Sequence, residues 1–305
     1  MRMNDVRLIV TDMDGTFLGC QSEFLPENVE AFRRAAKAGI SIGFASGRMP
    51  CMLSRFAKEL HLEDCQIIGL NGAHVLDRPD GETLSMHPIS PENREACLEA
   101  LHKGGCVYNL YTNDSVYTNR SVSPEEQQAF RRNFASCQRV EMGPEAALKA
   151  KDQPCLKFFV RSGGDDQGFL WARQAISQLP GIALTSSGPS NFEIMPAGVD
   201  KSTAVRELAQ RLHISMLQVM AFGDYDNDVT MLAACGHSVA MANATRAAIA
   251  AAVHHTRSNG EAGVAYAVDC LLNGQLEKLQ GSHPALFSDE TKKEKSSPKG
   301  LTAGE

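Results

Sequence analysis

Short apolar runs alternate with helix-like stretches along the first 82 residues of the chain. The apolar runs are bounded by turn residues, which is typical of buried strands in a parallel sheet, and they cover residues 6–10, 40–44 and 66–70. Between them, apolar side chains recur at helical spacing in residues 26–38 and 52–60. This alternation of strand and helix predicts an α/β fold built on a Rossmann-like, doubly wound parallel sheet.

The pattern changes near residue 83, where a second set of helix-like and strand-like stretches begins. Its helices are predicted at 91–103, 124–134 and 167–178, and its strands at 106–111, 116–118, 156–160 and 182–184. We therefore predict that residues 83–190 form an α/β cap domain, inserted into a catalytic core made of residues 1–82 and 191–274. An inserted module without an acidic cluster of its own is typical of a lid that sets specificity.

The core pattern resumes after residue 191. Strands are predicted at 217–222 and 238–241, and helices from Lys201 onward, at 245–252 and at 263–272. Residues 275–305 are rich in Lys, Glu, Ser, Gly and Pro, a composition that predicts a disordered tail.

Composition narrows the class of protein. The chain has 305 residues, a net charge of −6 and a pI near 5.9, which gives no reason to expect nucleic acid or an anionic membrane as a partner. We expect no signal peptide, because the first apolar run is short, and no apolar run in the sequence is long enough to span a bilayer. Nine scattered cysteines without a Cys-x-x-Cys pair argue against a disulfide framework or a zinc site, and favour reduced thiols in the cytoplasm.

Two aspartates, Asp12 and Asp14, stand just past the first predicted strand, where open α/β sheets place their ligands. Side chains two residues apart in extended backbone point the same way, so two ionised carboxylates would lie close together. Such a pair favours a cation, and oxygen-only ligands favour Mg²⁺. One carboxylate could then act as a nucleophile that forms an aspartyl-phosphate. Gly15 suits a tight turn and Thr16 offers a hydroxyl to an anion, although a polar loop would also explain these residues.

A second acidic cluster follows the predicted strand 217–222 and contains Asp224, Asp226, Asn227 and Asp228. Three aspartates at one helix entrance exceed what capping requires. The cluster lacks the central glycine and the later glutamate of an EF-hand loop. We therefore predict one metal site that this cluster shares with the first aspartate pair.

Two further positions favour an anion site. Ser46-Gly47 follows the second predicted strand and precedes a helix, and a helix amino terminus with a serine before it can bind an anion or simply be capped. Lys201 opens a helix, where its charge opposes the helix dipole, so an anionic neighbour would explain its position; a solvated lysine is the alternative. A P-loop is excluded, because Asp200 stands where that motif requires glycine.

Four motifs in this order resemble those of the haloacid dehalogenase superfamily, and specifically its Cof-type, sugar-phosphatase-like branch. They are Asp12-Met13-Asp14-Gly15-Thr16, Ala45-Ser46-Gly47-Arg48, a lone Lys201, and Gly223-Asp224-x-x-Asn227-Asp228. The similarity extends from Val6 to about Leu272. A mild departure is Ser202, where many relatives have glycine after the lysine.

The resemblance implies a role for each matching residue. Asp12 would be the nucleophile and Asp14 the general acid and base. The phosphate- or substrate-binding set would be Thr16, Ser46, Gly47, Lys201 and Asn227, and the metal set Asp12, Asp14 (through its backbone carbonyl), Asp224 and Asp228. Asp226 falls outside the motif and is predicted to be a surface residue.

The sequence therefore predicts a cytoplasmic, Mg²⁺-dependent phosphatase of small phosphorylated metabolites, with sugar phosphates as the first candidates, acting as a monomer or weak homodimer. A phosphomutase or a dedicated glycosyl-phosphate phosphatase is the rival enzyme. A mutase would need a basic cluster in the cap, for which Arg131, Arg132 and Arg139 are candidates, although surface arginines are the simpler interpretation. A regulator that binds phosphometabolites without turnover is a third hypothesis.

Overall fold

The computed structural model describes residues 6–120, 123–188 and 190–279. Its strands are β1 (Leu8–Thr11), β2 (Ser41–Ala45), β3 (Gln66–Gly69), β4 (His74–Leu76), β5 (Thr83–Met86), β6 (Val107–Tyr111), β7 (Ser115–Thr118), β8 (Arg139–Met142), β9 (Lys157–Arg161), β10 (Ile182–Thr185), β11 (Asn191–Pro196), β12 (Val219–Gly223), β13 (His237–Ala240) and β14 (His254–His255). Its helices are α1 (Pro26–Lys37), α2 (Pro50–Glu59), α3 (Pro91–Lys103), α4 (Pro124–Asn133), α5 (Asp166–Ser177), α6 (Lys201–Arg211), α7 (Val229–Ala234), α8 (Arg246–Ala251) and α9 (Gly263–Leu272).

The larger sheet has eight strands in the order β14-β13-β12-β1-β2-β3-β4-β5. The six strands from β14 to β3 are parallel, and β4 and β5 extend the sheet by antiparallel pairing. Because β1 lies between β2 and β12, the chain leaves β1 in one direction and returns on its other side. The predicted α/β fold with a doubly wound parallel sheet is confirmed.

Alternate residues of β1 bury on opposite faces of this sheet. Ile9 packs with residues of α1, α2 and α9, whereas Leu8 and Val10 pack with α6 and α7. A strand that is buried on both faces needs a continuous apolar run, which is the pattern that predicted it.

The smaller sheet has six strands in the order β10-β11-β9-β6-β7-β8. One face packs against α3 and α5. On the other face, Tyr111, Leu156 and Met195 pack in one apolar cluster with Met49 and Leu70 of the larger-sheet part. Through this shared cluster, the face of the smaller sheet that is not covered by α3 and α5 packs against the larger-sheet part.

Sheet membership corrects the predicted limits of the inserted part. Strand β5 at Thr83–Met86 pairs in the larger sheet, and β11 at Asn191–Pro196 pairs in the smaller one. The change from one sheet to the other therefore falls after Met86 and after Pro196, rather than at 82/83 and 190/191. The periodicity of apolar residues can predict that a segment is a strand. It does not predict which other strand that segment pairs with, and this pairing assigns β5 and β11 to their sheets.

The predicted disordered tail is wrong for its first residues. Leu276–Leu279 form a 3₁₀ turn, and Leu276 and Leu279 are buried against α9 and its neighbours. The rest of that prediction concerns residues 280–305, which lie outside the described residues. Within the described ranges, we find no helix with both the length and the apolar content needed to cross a membrane.

Candidate active site

The two acidic motifs meet at one edge of the larger sheet. Asp12 follows β1 and Asp224 follows β12, and these parallel strands pair with Thr11 opposite Phe222. The backbone amide of Asp12 donates to the carbonyl of Phe222 over 3.0 Å. Parallel neighbours end at the same edge, so side chains 212 positions apart in sequence become neighbours in space.

The loop after β1 depends on a glycine. Gly15 has φ of +81°, and a Cβ at this position would overlap the carboxylate of Asp224. Only glycine tolerates both the left-handed backbone and this close approach. The side-chain amide of Asn243 donates to the carbonyl of Gly15 over 2.8 Å, which fixes the loop against the segment after β13.

Lys201 is completely buried between two of the acids. Its Nζ donates to Asp12 Oδ1 and to Asp228 Oδ1, each over 2.6 Å. Asp200 caps the helix that Lys201 opens, by accepting from the backbone amide of Thr203 over 2.8 Å. Burial opposes the charged form of Lys201, but the two carboxylates outweigh it and raise the pKa of this lysine above its ordinary value.

Asp12, Asp224 and Asp228 are buried, and each offers a carboxylate oxygen within 4.8 Å of the others. Burial raises the pKa of Asp12 well above its usual value, with further contributions from Asp228 and Asp224 and an opposing one from Lys201. Burial likewise raises the pKa of Asp224 to about 6, while a hydrogen bond from Thr16 opposes the shift. Three clustered carboxylates with one lysine leave an excess of negative charge. An all-oxygen group of this kind could bind a divalent metal.

Two predicted contributors lie differently from expectation. Thr16 donates its hydroxyl hydrogen to Asp224 Oδ1 over 2.6 Å, so this hydrogen orients a carboxylate and is not available to an anion. The carboxylate of Asp14 lies outside the group of three and is half exposed. Asp228 accepts from Lys201 with one oxygen and from the amides of Asp224 and Tyr225 with the other.

Arg48 is a residue to which the sequence assigned no role, although it ends one of the motifs. Its Nε and Nη2 donate to the two oxygens of Asp14 over 2.7 and 2.5 Å. Both carboxylate oxygens are therefore engaged by one guanidinium, and the side-chain hydrogen bond raises the pKa of Arg48. In this arrangement Asp14 is held at the rim of the acidic cluster.

A cavity of about 990 Å³ opens between the two sheet-bearing parts of the chain. From the larger-sheet part, Asp12, Asp14, Ser46, Gly47 and Asn227 line it. From the smaller-sheet part, the lining includes Tyr111, Arg120, Phe134 and Arg161. The predicted catalytic pair thus faces a space large enough for a small metabolite.

Ser46 and Asn227 present polar atoms at this cavity. Ser46 Oγ accepts from the amide of Arg48 over 3.2 Å, and a hydroxyl that accepts retains its own hydrogen for donation. Asn227 Nδ2 donates to Asn71 Oδ1 over 3.3 Å, which orients the amide beside the cluster.

Sequence reasoning missed a buried ion pair beside the cavity, formed by Lys157 and Glu193 with 2.7 Å between Nζ and Oε2. Burial would raise the pKa of Glu193, but the charge of Lys157 outweighs it and, with hydrogen bonds, lowers that pKa. A signal was present, because each residue is a lone charge within an otherwise apolar run.

The arginines proposed for a mutase cap do not line the cavity. Arg131, Arg132 and Arg139 are exposed, and Arg131 donates to the backbone carbonyl of Val140. These three arginines are therefore surface residues, and they do not form the basic cluster that a mutase cap would need. Asp226 is exposed, as its place outside the motif predicts, and Ser202 is buried at the start of α6.

Comparison with known proteins identifies the family to which these motifs point. The family model described as haloacid dehalogenase-like hydrolase matches residues 9–268. That match covers both acidic motifs, both sheets and Lys201.

Among curated proteins, the chain is 28% identical over 294 residues to the 5-amino-6-(5-phospho-D-ribitylamino)uracil phosphatase YwtE of Bacillus subtilis, covering 88% of this chain and 99% of that protein. It is also 28% identical over 240 residues to the HMP-PP phosphatase of Cronobacter sakazakii, covering 78% of this chain and 85% of that protein. Both relatives are named as phosphatases.

Solved structures agree with the fold. A haloacid dehalogenase-like hydrolase from Bacillus subtilis superposes with a TM-score of 0.77 at 25% identity, covering 87% of this chain and 99% of that chain. One from Bacteroides thetaiotaomicron superposes with a TM-score of 0.75 at 26% identity, covering 87% and 98%.

Proposed function

The chain belongs to the haloacid dehalogenase-like hydrolases, and from this premise we propose that it is a Mg²⁺-dependent phosphatase of small phosphorylated metabolites. Sugar phosphates are the first candidates. The observation that supports this proposal most directly is the buried group of Asp12, Asp224 and Asp228, in which Lys201 bridges Asp12 and Asp228, while Asp12 and Asp224 line the cavity. The named phosphatases among its relatives support the same reaction class.

In the proposed first step, a carboxylate oxygen of Asp12 attacks the phosphorus of the substrate. A bond forms between Asp12 and phosphorus while the bond from phosphorus to the leaving oxygen breaks, and Asp14 gives its proton to that oxygen. Lys201 orients Asp12 and opposes the effect of burial on its pKa, and it offsets the negative charge that the phosphate brings.

In the second step, water attacks the phosphorus of the aspartyl-phosphate. Asp14, now a carboxylate, accepts a proton from that water, and the bond between phosphorus and Asp12 breaks to release phosphate. The ion pair with Arg48 favours the carboxylate form of Asp14, so it must weaken for Asp14 to carry the proton that the first step needs.

A magnesium ion would be held by Asp12 and Asp224, with Asp228 beside them and the backbone carbonyl of Asp14 as a further oxygen. The buried all-oxygen donor set and its excess negative charge fit such an ion. When bound, it would supply positive charge to the phosphoryl oxygens. We assign the smaller-sheet part the role of a cap, because its residues form much of the cavity wall.

The test is phosphate release from p-nitrophenyl phosphate and from a panel of phosphorylated metabolites, with Mg²⁺ and with EDTA. We expect release that requires metal and that is fastest for one or a few sugar phosphates. Asp12→Asn should abolish it in a folded protein. Asp226→Asn is the matched control, since Asp226 is an exposed acid at the same helix entrance, and it should leave activity intact.

Two results would contradict the proposal. If the protein with Mg²⁺ releases phosphate from none of these substrates, it is not a phosphatase of this class. If Asp12→Asn keeps its activity, the nucleophile is another residue.

A further inference from the structure

The buried pair of Lys157 and Glu193 joins the two sheet-bearing parts of the molecule. Both residues belong to the smaller sheet, where they lie on the adjacent strands β9 and β11 and are 2% and 1% exposed. Their partners lie largely in the other part. Lys157 Nζ donates to the carbonyl of Gly47 over 2.9 Å, and the side-chain amide of Asn71 donates to Glu193 Oε2. Ser187 Oγ donates to the other oxygen of Glu193 over 2.6 Å.

The two residues thus contacted, Gly47 and Asn71, belong to the loops that surround the predicted phosphate site. The backbone amide of Asn71 donates to the backbone carbonyl of Ser46 over 2.9 Å, and the side-chain oxygen of Asn71 accepts from the side-chain amide of Asn227. A Cβ on Gly47 would lie 3.0 Å from Lys157 Nζ and 3.2 Å from Asn71 Oδ1, so the loop and the pair are packed without spare room. Movement of either ion would displace the loop that carries Ser46.

Stability alone is a weak reason for such a pair. Removing two charges from water costs free energy that their attraction only partly offsets, and apolar residues of similar size often stabilise a protein as well. What charged hydrogen bonds provide is direction, because each fixes the position of a donor and an acceptor. Here Lys157 fixes the position of the Gly47 carbonyl, and Glu193 fixes the position of the side-chain amide of Asn71.

We propose that Lys157 and Glu193 are positioning residues, which hold the loop of Ser46 and the amide of Asn227 in the arrangement that binds the phosphoryl group. The proposal rests on the proposed phosphatase function. It assigns to the smaller sheet a part in phosphate binding, in addition to forming a wall of the cavity. The pair acts through Gly47 and Asn71 and does not take part in bond making.

The test compares four variants: Lys157→Met, Glu193→Gln, the double variant that carries both changes, and Lys157→Arg. For each we would measure kcat and KM with p-nitrophenyl phosphate, the affinity for inorganic phosphate by calorimetry with Mg²⁺, and the thermal midpoint. Lys149→Met is the matched control, because Lys149 pairs over 2.8 Å with Glu141 at the surface of the same sheet.

We expect Lys157→Met to weaken phosphate binding and raise KM about tenfold or more, as for the loss of one charge-assisted hydrogen bond. It should also unfold at a lower temperature, because Glu193 is left buried without a counter-charge. The double variant removes both charges, so it should regain the thermal midpoint while phosphate affinity stays low. Lys157→Arg should restore most of the affinity.

A purely structural pair would behave differently. If the double variant recovers phosphate affinity together with the thermal midpoint, or if every variant binds phosphate as the wild type does, the proposal is wrong. Failure of the phosphatase proposal would be seen separately, as a wild-type protein that releases no phosphate. The calorimetric comparison would then still report whether the pair positions a phosphate site.

Discussion

Lys201 shows how one residue sets the charge balance of the site. It is the cation that bridges Asp12 and Asp228, and it lies completely buried between them. A lysine at a helix start opposes the helix dipole, and here two carboxylates 2.6 Å away compensate for that cost. The same residue orients the predicted nucleophile, Asp12, and opposes the rise in its pKa that burial causes.

Replacing Lys201 by methionine should therefore destabilise the protein and abolish turnover. Without the lysine, buried carboxylates face one another uncompensated, a defect that costs about 3–5 kcal/mol in other proteins. Urea unfolding in EDTA would measure the loss of free energy of unfolding, and added Mg²⁺ should recover part of it. An unchanged free energy of unfolding in EDTA would contradict the central place given to this ion pair.

Asp224 links metal binding to pH. Its pKa is raised to about 6 in the folded protein without metal, compared with about 3.9 for an ordinary aspartate. Between these values the folded state binds more protons than the unfolded state, so the stability of the metal-free protein falls as pH rises through this window. A metal requires the carboxylate, so protons compete with it below pH 6.

Magnesium affinity should consequently fall by about tenfold when pH is lowered from well above 6 to 5, because only about a tenth of Asp224 would remain ionised. Calorimetry at several pH values would measure this affinity, and proton release on binding should increase as pH falls through 6, from almost none at pH 8 to nearly one proton from Asp224 at pH 5. An affinity that does not change across this range would show that Asp224 is not a ligand.

Among the elements, the loop between β1 and α1 carries the site. Its path depends on the left-handed Gly15, whose missing Cβ leaves room for Asp224, and on the hydrogen bond from Asn243. The helices contribute mostly through their first residues, as Lys201 does for α6. The strands β1 and β12 hold the ends of the two acidic loops in fixed positions at one edge of the sheet.

Substituting alanine for Gly15 should weaken magnesium binding and turnover strongly. The new methyl group meets the carboxylate of Asp224 and the backbone is strained, an effect of about 1–3 kcal/mol in similar positions. Gly39→Ala is the control, since Gly39 has φ of +84° but open space around it. It should lose stability and keep metal affinity. If the Gly15→Ala and Gly39→Ala variants bind Mg²⁺ with equal affinity, the conformation of the loop at Gly15 does not contribute to metal binding.

At the scale of the whole molecule, the cavity depends on how the smaller-sheet part lies over the larger sheet. Two half-buried thiols span that junction: Cys51 in α2 and Cys137 between α4 and β8 lie 3.5 Å apart. The hydrogen bond from Cys137 lowers the pKa of Cys51, which favours its reactive thiolate. A covalent link here would tie the two parts together.

Oxidation with diamide should join these thiols as a disulfide, with the two hydrogens passing to the reagent. If the cap moves during turnover, the cross-link should lower kcat several-fold, and dithiothreitol should restore it. The Cys51→Ser variant should resist the reagent, whereas Cys20→Ser, which removes an exposed thiol, should remain sensitive. Full activity after complete cross-linking would show that the two parts keep one arrangement throughout the cycle.

The sequence by itself determined the helices and most of the parallel strands of the core, with the residues at their ends, whereas it did not predict β4, β5, β8, β11 or β14. Apolar runs and helical spacing are local properties, so they placed Asp12 after a strand and Lys201 at the start of a helix. Parallel strands then bring such ends to one edge, which is why Asp12 and Asp224 meet as the pattern predicts.

The tertiary structure alone decided which partner each side chain takes. Thr16 reaches Asp224 across 208 positions and Arg48 reaches Asp14 across 34, and neither partnership follows from residue type. Lys157 and Glu193 meet because β9 and β11 are adjacent, an arrangement set by sheet order and not by either strand. Hydrogen bonds and ion pairs act over a few ångströms, so they are chosen only after the packing of distant segments has brought the groups together.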